Sequence, residues 1–162
     1  MTRLYSNKIK LLLVLVPVFA VVLIDQIVKY RIRTEFELGE SLPVIEDVFH
    51  ITYVRNTGAA FSLFKSMPFM TIVIPCLLLL GCVVAMGILY KKDMPAPMVL
   101  VGLIFAGGIG NMIDRVALGY VVDMIDFRFF PVFNVADIAV TCGCVLLMIW
   151  AFVSERKTSE KI

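Results

Sequence analysis

The chain has 162 residues, is 60% hydrophobic and carries a formal net charge of only +2, with a mean hydropathy of +0.95. Soluble domains sit nearer half apolar, so this composition excludes an ordinary water-soluble globule. The small net charge gives no ground for a nucleic-acid partner. The length fits a single integral membrane domain over 1–162.

In chain order, Met1 to Lys10 is short and basic, and an apolar run follows it. About 20 residues cross the ~30 Å of bilayer hydrocarbon, so a first span is predicted over about 11–30. The same pattern resembles a signal peptide, but no small-x-small cleavage site follows. No Cys lies near the run, so the chain does not read as a lipoprotein precursor itself. Asp25 and Lys29 stand at i,i+4 on one helical face. They read as an interfacial ion pair or as a brace for a site.

Arg31 to Ser66 is too polar to span. Within it, Val48 to Asn56 is rich in β-branched and aromatic residues, Asn56-Thr57-Gly58 is a turn signal, and A-A-F-S-L-F follows. This predicts a short hairpin or small sheet over about 42–65, packed on the membrane surface or the bundle. Met67 to Tyr90 is uncharged and predicts a second span, with Pro75 as the place for a bend. Lys91-Lys92-Asp93 is a tight connection. A third span is predicted over about 94–113, with Gly102, Gly107, Gly108 and Gly110 allowing close helix approach. G-I-G-N-M-I lacks the third Gly of a dinucleotide fingerprint and follows no strand. Asp114 to Pro131 reads as a short loop holding Asp123, Asp126 and Arg128. A fourth span is predicted over about 134–153, with Trp150 as an interface anchor. The charged tail from Ser154 is expected to be mobile. The fold class is therefore an all-α membrane bundle of four transmembrane helices with a small extracytoplasmic β-hairpin.

The N-terminus, the 91–93 turn and the tail hold eight of the fifteen Lys and Arg residues against three acids, all close to the spans. The positive-inside rule is strongest in such short segments. Both termini are therefore expected in the cytoplasm, with the hairpin and the 114–131 segment outside.

That topology makes Asp123 and Asp137 neighbours at one membrane edge, where ionisable groups are costly and point to function. Two carboxyls in a partly dry pocket share a proton. The ionised partner can then take a proton from water while the protonated one donates to a carbonyl oxygen. No metal, cofactor or covalent intermediate is required. Asn134 and Asp137 at i,i+3 also look like an N-cap and its N3 acid. Asp126 competes with Asp123, but three residues apart on an extended chain they face opposite ways. Asn111, Asp114 and Arg115 at the end of the third span suit a buried polar lattice. Arg115 alone also fits simple snorkelling or a lipid phosphate contact. The four Cys lie in apolar runs and read as small buried residues, and C-G-C without His is a poor zinc site. The lone His50 has no evident nucleophile.

Five motifs in order resemble the bacterial lipoprotein signal peptidase (signal peptidase II) family: Asp25-Gln26 with Lys29, Tyr53 to Ser62, Gly110 to Arg115, Val121 to Asp123, and Phe133 to Asp137. The resemblance covers nearly the whole chain. It implies an aspartic endopeptidase of the bacterial cytoplasmic membrane with Asp123 and Asp137 as its dyad, and it selects Asp123 over Asp126. It implies site-supporting roles for Asp25, Asn56, Gly58, Asn111, Asp114, Arg115 and Asn134. The implied substrate is a diacylglyceryl-modified prolipoprotein, drawn from membrane lipid and cut just before its lipidated Cys. No obligate protein partner is implied. The rival classes are a four-span proton-pathway protein and a non-catalytic assembly factor. Clustering of the acids at one edge, rather than along the spans, speaks against the first. The G-x-G-D signature of a different intramembrane aspartyl protease is absent, with G-I-G-N in its place.

Overall fold

A computed structural model describes residues 6–58 and 70–159. Its elements in order are α1 (Asn7–Glu35), β1 (Ser41–Ile45), β2 (Phe49–Asn56), α2 (Met70–Lys91), α3 (Pro95–Leu118), β3 (Val121–Phe127) and α4 (Val135–Ser159). All four helices are long and apolar enough to cross a membrane. They carry a small three-stranded antiparallel sheet in the order β1-β2-β3.

Helix α3 is central. It packs against α1, α2 and α4, and 44% of its most apolar stretch is buried, against none of that of α2. Its glycines make this possible. A Cβ at Gly107 would meet the Ala136 carbonyl oxygen at 2.2 Å, and one at Gly110 would meet Asp25 Oδ2 at 2.6 Å. The helix begins on Pro95 and ends at Gly119, which is left-handed at φ 81 and donates its N–H to the Arg115 carbonyl. Pro near the start and Gly just past the end is the favoured arrangement.

The hairpin of β1 and β2 turns between Ile45 and Phe49, where Asp47 takes φ 59. The expected return strand at 59–64 lies outside the described residues. The 114–131 segment is no loop, because Asp114 to Leu118 continue α3 and Val121 to Phe127 form an edge strand on β2. The segment V-V-D-M-I-D-F alternates less than a half-exposed strand would, because both faces are covered and five of its seven residues are buried. Helix α4 continues past the predicted span end to Ser159.

The sheet rests on one end of the bundle. Ile32 from α1, Tyr53 from β2, and Val122 and Met124 from β3 make a buried cluster there. The opposite end carries the α1 N-terminus and the α2–α3 turn, joined by a Lys10–Asp93 ion pair. The site is built where the sheet meets α1, α3 and the start of α4.

Candidate active site

Helix α4 starts with a reciprocal cap. Asn134 Oδ1 accepts from the Asp137 N–H at 2.9 Å, and Asp137 Oδ2 accepts from the Asn134 N–H at 3.3 Å. This satisfies two N–H groups that a helix start leaves open. Asp25 on α1 adds a third tie, its Oδ1 accepting from the Ala136 N–H at 2.9 Å. The Asp137 side chain is thereby held at the first turn of α4, partly exposed.

Asp123 sits on β3, 1% exposed. Asn134 Nδ2 donates to its Oδ1 at 2.6 Å and Asn56 Nδ2 to its Oδ2 at 3.0 Å. Asn56 is itself fixed, since its Oδ1 accepts from the Gly58 N–H at 2.9 Å. Gly58 takes φ 84, a region open to Gly with little strain. Asn111 on α3 completes the link. Its Nδ2 donates to Asp137 Oδ1 at 2.7 Å, and its Oδ1 accepts from Asn134 Nδ2 at 3.0 Å. The two carboxyls are thus joined through two amides, in the order Asp137–Asn111–Asn134–Asp123.

Burial pushes the Asp123 carboxyl up to about 6, and the nearby Asp137 charge adds to the rise. The Asn56 and Asn134 hydrogen bonds and the Lys29 charge oppose it without cancelling it. The two acids therefore differ in setting: Asp123 is dry, while Asp137 is partly open and lies on the positive end of a helix. Differences of this kind separate acid from base in paired carboxyls.

Beneath them lies a buried ionic lattice. Lys29 Nζ meets Asp25 Oδ2 at 2.9 Å, Asp114 Oδ2 at 3.2 Å and Asn111 Oδ1 at 2.9 Å. Three acceptors match the three ammonium donors. Asp114 Oδ2 also accepts from the Val122 N–H at 2.9 Å, which fixes β3 one residue before Asp123. Gln26 Nε2 donates to the Gly110 carbonyl at 3.1 Å and to Asp114 Oδ1 at 3.2 Å. The sequence pairs Lys29 with Asp25, as a Lys four residues after an Asp in an apolar helix must be paired; the further contacts of Lys29 to Asp114 and Asn111, and those of Gln26, are not read from it. Arg115, half-buried, lies in the field of Asp137, Asp123 and Asp114.

Asp126 is drawn away. It accepts from Thr52 Oγ1 at 2.8 Å and Arg128 Nη1 at 3.0 Å. The nine residues singled out thus gather at one end of the bundle, and Asp126 is spent on the sheet. Among the described residues no cluster of three or more His, Cys, Asp or Glu could hold a metal ion.

Comparison with known proteins gives the family. The family model for Signal peptidase (SPase) II matches residues 17–153. The chain belongs to the signal peptidase II family. A lipoprotein signal peptidase of Halothermothrix orenii is 41% identical over 146 residues, 89% of this chain and 98% of its own length. One from Brevibacillus brevis is 41% identical over 139 residues, 85% of this chain and 93% of its own. A solved bacterial membrane enzyme, determined by the in meso method at 2.3 Å resolution, superposes with a TM-score of 0.77 at 33% identity, covering 98% of this chain and 95% of its own. Signal peptidase II membership makes this chain a multi-pass membrane aspartic peptidase. It acts on prolipoproteins and removes their signal peptides during lipoprotein maturation.

Proposed function

We propose that Asp123 and Asp137 are the catalytic dyad of this signal peptidase II. The observation that carries the reading is the amide bridge Asp137–Asn111–Asn134–Asp123, which holds two carboxyls in unlike settings at the rim of the bundle. Asp137, at the helix start, takes a proton from a water molecule, and that water attacks the scissile carbonyl. Asp123, protonated in its dry pocket, donates to the carbonyl oxygen as the tetrahedral intermediate forms. On collapse the C–N bond breaks, Asp123 takes back the proton from the hydroxyl as the C=O re-forms, and Asp137 returns its proton to the leaving amine. Asp25 and Asp114 hold the backbone of α4 and β3, while Asn56, Asn111 and Asn134 aim the carboxyls. Gly58 allows the turn that holds Asn56, and Arg115 supplies counter-charge.

The substrate in this reading is a prolipoprotein whose Cys already bears a diacylglyceryl group, cut just before that Cys. Its signal peptide is a membrane helix and its acyl chains do not leave lipid cheaply, at ~0.8 kcal/mol per CH₂. A site at the bilayer edge receives both laterally. We place it at the outer leaflet of a bacterial cytoplasmic membrane, with both termini in the cytoplasm, from the basic residues at the opposite end. The whole chain acts as one domain.

The purified protein in lipid bilayers should cleave a diacylglyceryl-modified precursor and release a product beginning at the lipidated Cys. The unmodified precursor should be cut far more slowly. Equal cleavage of the two would overturn the substrate assignment.

A further inference from the structure

A cleft of about 340 Å³ runs along the start of α4, beneath the segment that joins β3 to it. Pro131, Phe133, Ile138, Thr141 and Cys142 line it, and Asp137 is its one acid. Ile138, Thr141 and Cys142 are exposed on the helix surface, so the cleft opens sideways from the bundle. Its walls are hydrocarbon and ring surface apart from Asp137, the Thr141 hydroxyl and the Cys142 thiol.

We infer that this cleft seats an acyl chain of the substrate's diacylglyceryl group, which makes it a positioning subsite for the reaction. The inference rests on the proposed dyad and lipidated substrate. An unwound peptide stretch brings N–H and C=O groups that need partners at membrane depth, and these walls offer almost none. An acyl chain needs none. The chains also branch from the residue that follows the scissile bond, so they begin only a few bonds from the carbonyl that Asp137 serves. A cleft that shares Asp137 with the reaction site is within their reach. Moving a chain from bilayer to cleft gains little hydrophobic energy, since both are apolar. What it gains is orientation of the scissile bond.

Cys142→Trp, which fills the cleft from the lipid-facing side, tests this. In lipid bilayers it should lower kcat/KM about tenfold for a palmitoyl-length substrate and about twofold or less for a butyryl one. Equal loss on both substrates would overturn the assignment. A photoreactive group at the end of a substrate acyl chain should crosslink to residues within 130–142 of the unmodified enzyme. Crosslinks confined to other segments would also overturn it. The crosslink should persist in Asp137→Asn. If that variant still cleaves substrate, the dyad fails, and the crosslink judges the cleft separately.

Discussion

Helix α1 buries two lysines, and it buries them in different company. Lys10 and Lys29 are 3% and 2% exposed, about 28 Å apart along the helix axis. Lys10 pairs with Asp93, itself 30% exposed in the α2–α3 turn, and lies 5.6 Å from the centroid of the Tyr90 ring. Lys29 meets two carboxylates and an amide, and all three partners are buried. Burying charge costs several kcal/mol per ion unless geometry and further hydrogen bonds compensate. At the Lys10 end the pair fastens a turn. At the Lys29 end every partner has a second contact that positions backbone or side chains of the site. Asp25 holds α4, Asp114 holds β3 and Asn111 holds Asp137. The costly polar lattice is placed where geometry must be fixed for chemistry.

The largest effect that separates the two ends should come from Lys29→Met. It strands Asp25 and Asp114 in a dry interior, so unfolding measured in bilayers should become easier by about 3–5 kcal/mol, with activity lost. Lys10→Met should cost about 1 kcal/mol or less, since its partner keeps access to solvent, and the folded enzyme should retain most of its activity. Similar penalties for both lysines would break the comparison.

Asp123 gives a pH test at the site end. Its folded pKa is raised to about 6 from an ordinary 3.8, so the folded state binds its proton more tightly than the unfolded chain. The stability this contributes is fully present below pH 3.8 and is lost as pH rises through about 6. The displacement corresponds to roughly 3 kcal/mol. Unfolding of the parent protein across that window should show the decline, and Asp123→Asn should lack it. The alkaline limb of kcat/KM should also begin near pH 6, as a property of the coupled pair.

A smaller effect is expected at the helix contact beneath the site. Gly110→Ala puts a methyl 2.6 Å from Asp25 Oδ2 and 3.2 Å from the Ala136 Cβ. Overpacking of this kind costs about 1–3 kcal/mol, and it should lower activity by shifting the start of α4. Smaller still, Asp126→Asn should leave cleavage within about threefold of the parent, since that acid serves Thr52 and Arg128.

Much of this was legible in the residues. The four spans announced themselves because hydrocarbon thickness sets a length that few other segments meet. The Asn134–Asp137 cap was readable because i,i+3 spacing fixes its geometry. The strand Val121–Phe127 was not. Its pairing with β2 is long-range, and burial on both faces removed the alternation that marks a strand. The turn at Asp47 was hidden for a related reason, since Asn56-Thr57-Gly58 carried the stronger local signal. That signal reports an Asx contact that holds Asn56 against Asp123. The Lys29 lattice joins residues 82 to 88 positions apart, and no local pattern reveals such a meeting.

The most direct test of the dyad is single-turnover cleavage of a diacylglyceryl-modified precursor by Asp123→Asn and Asp137→Asn, each checked to unfold cooperatively in bilayers. Both variants should bind substrate and show cleavage reduced by about a thousandfold or more. Cleavage by either variant within tenfold of the parent rate would contradict the assignment of these two aspartates.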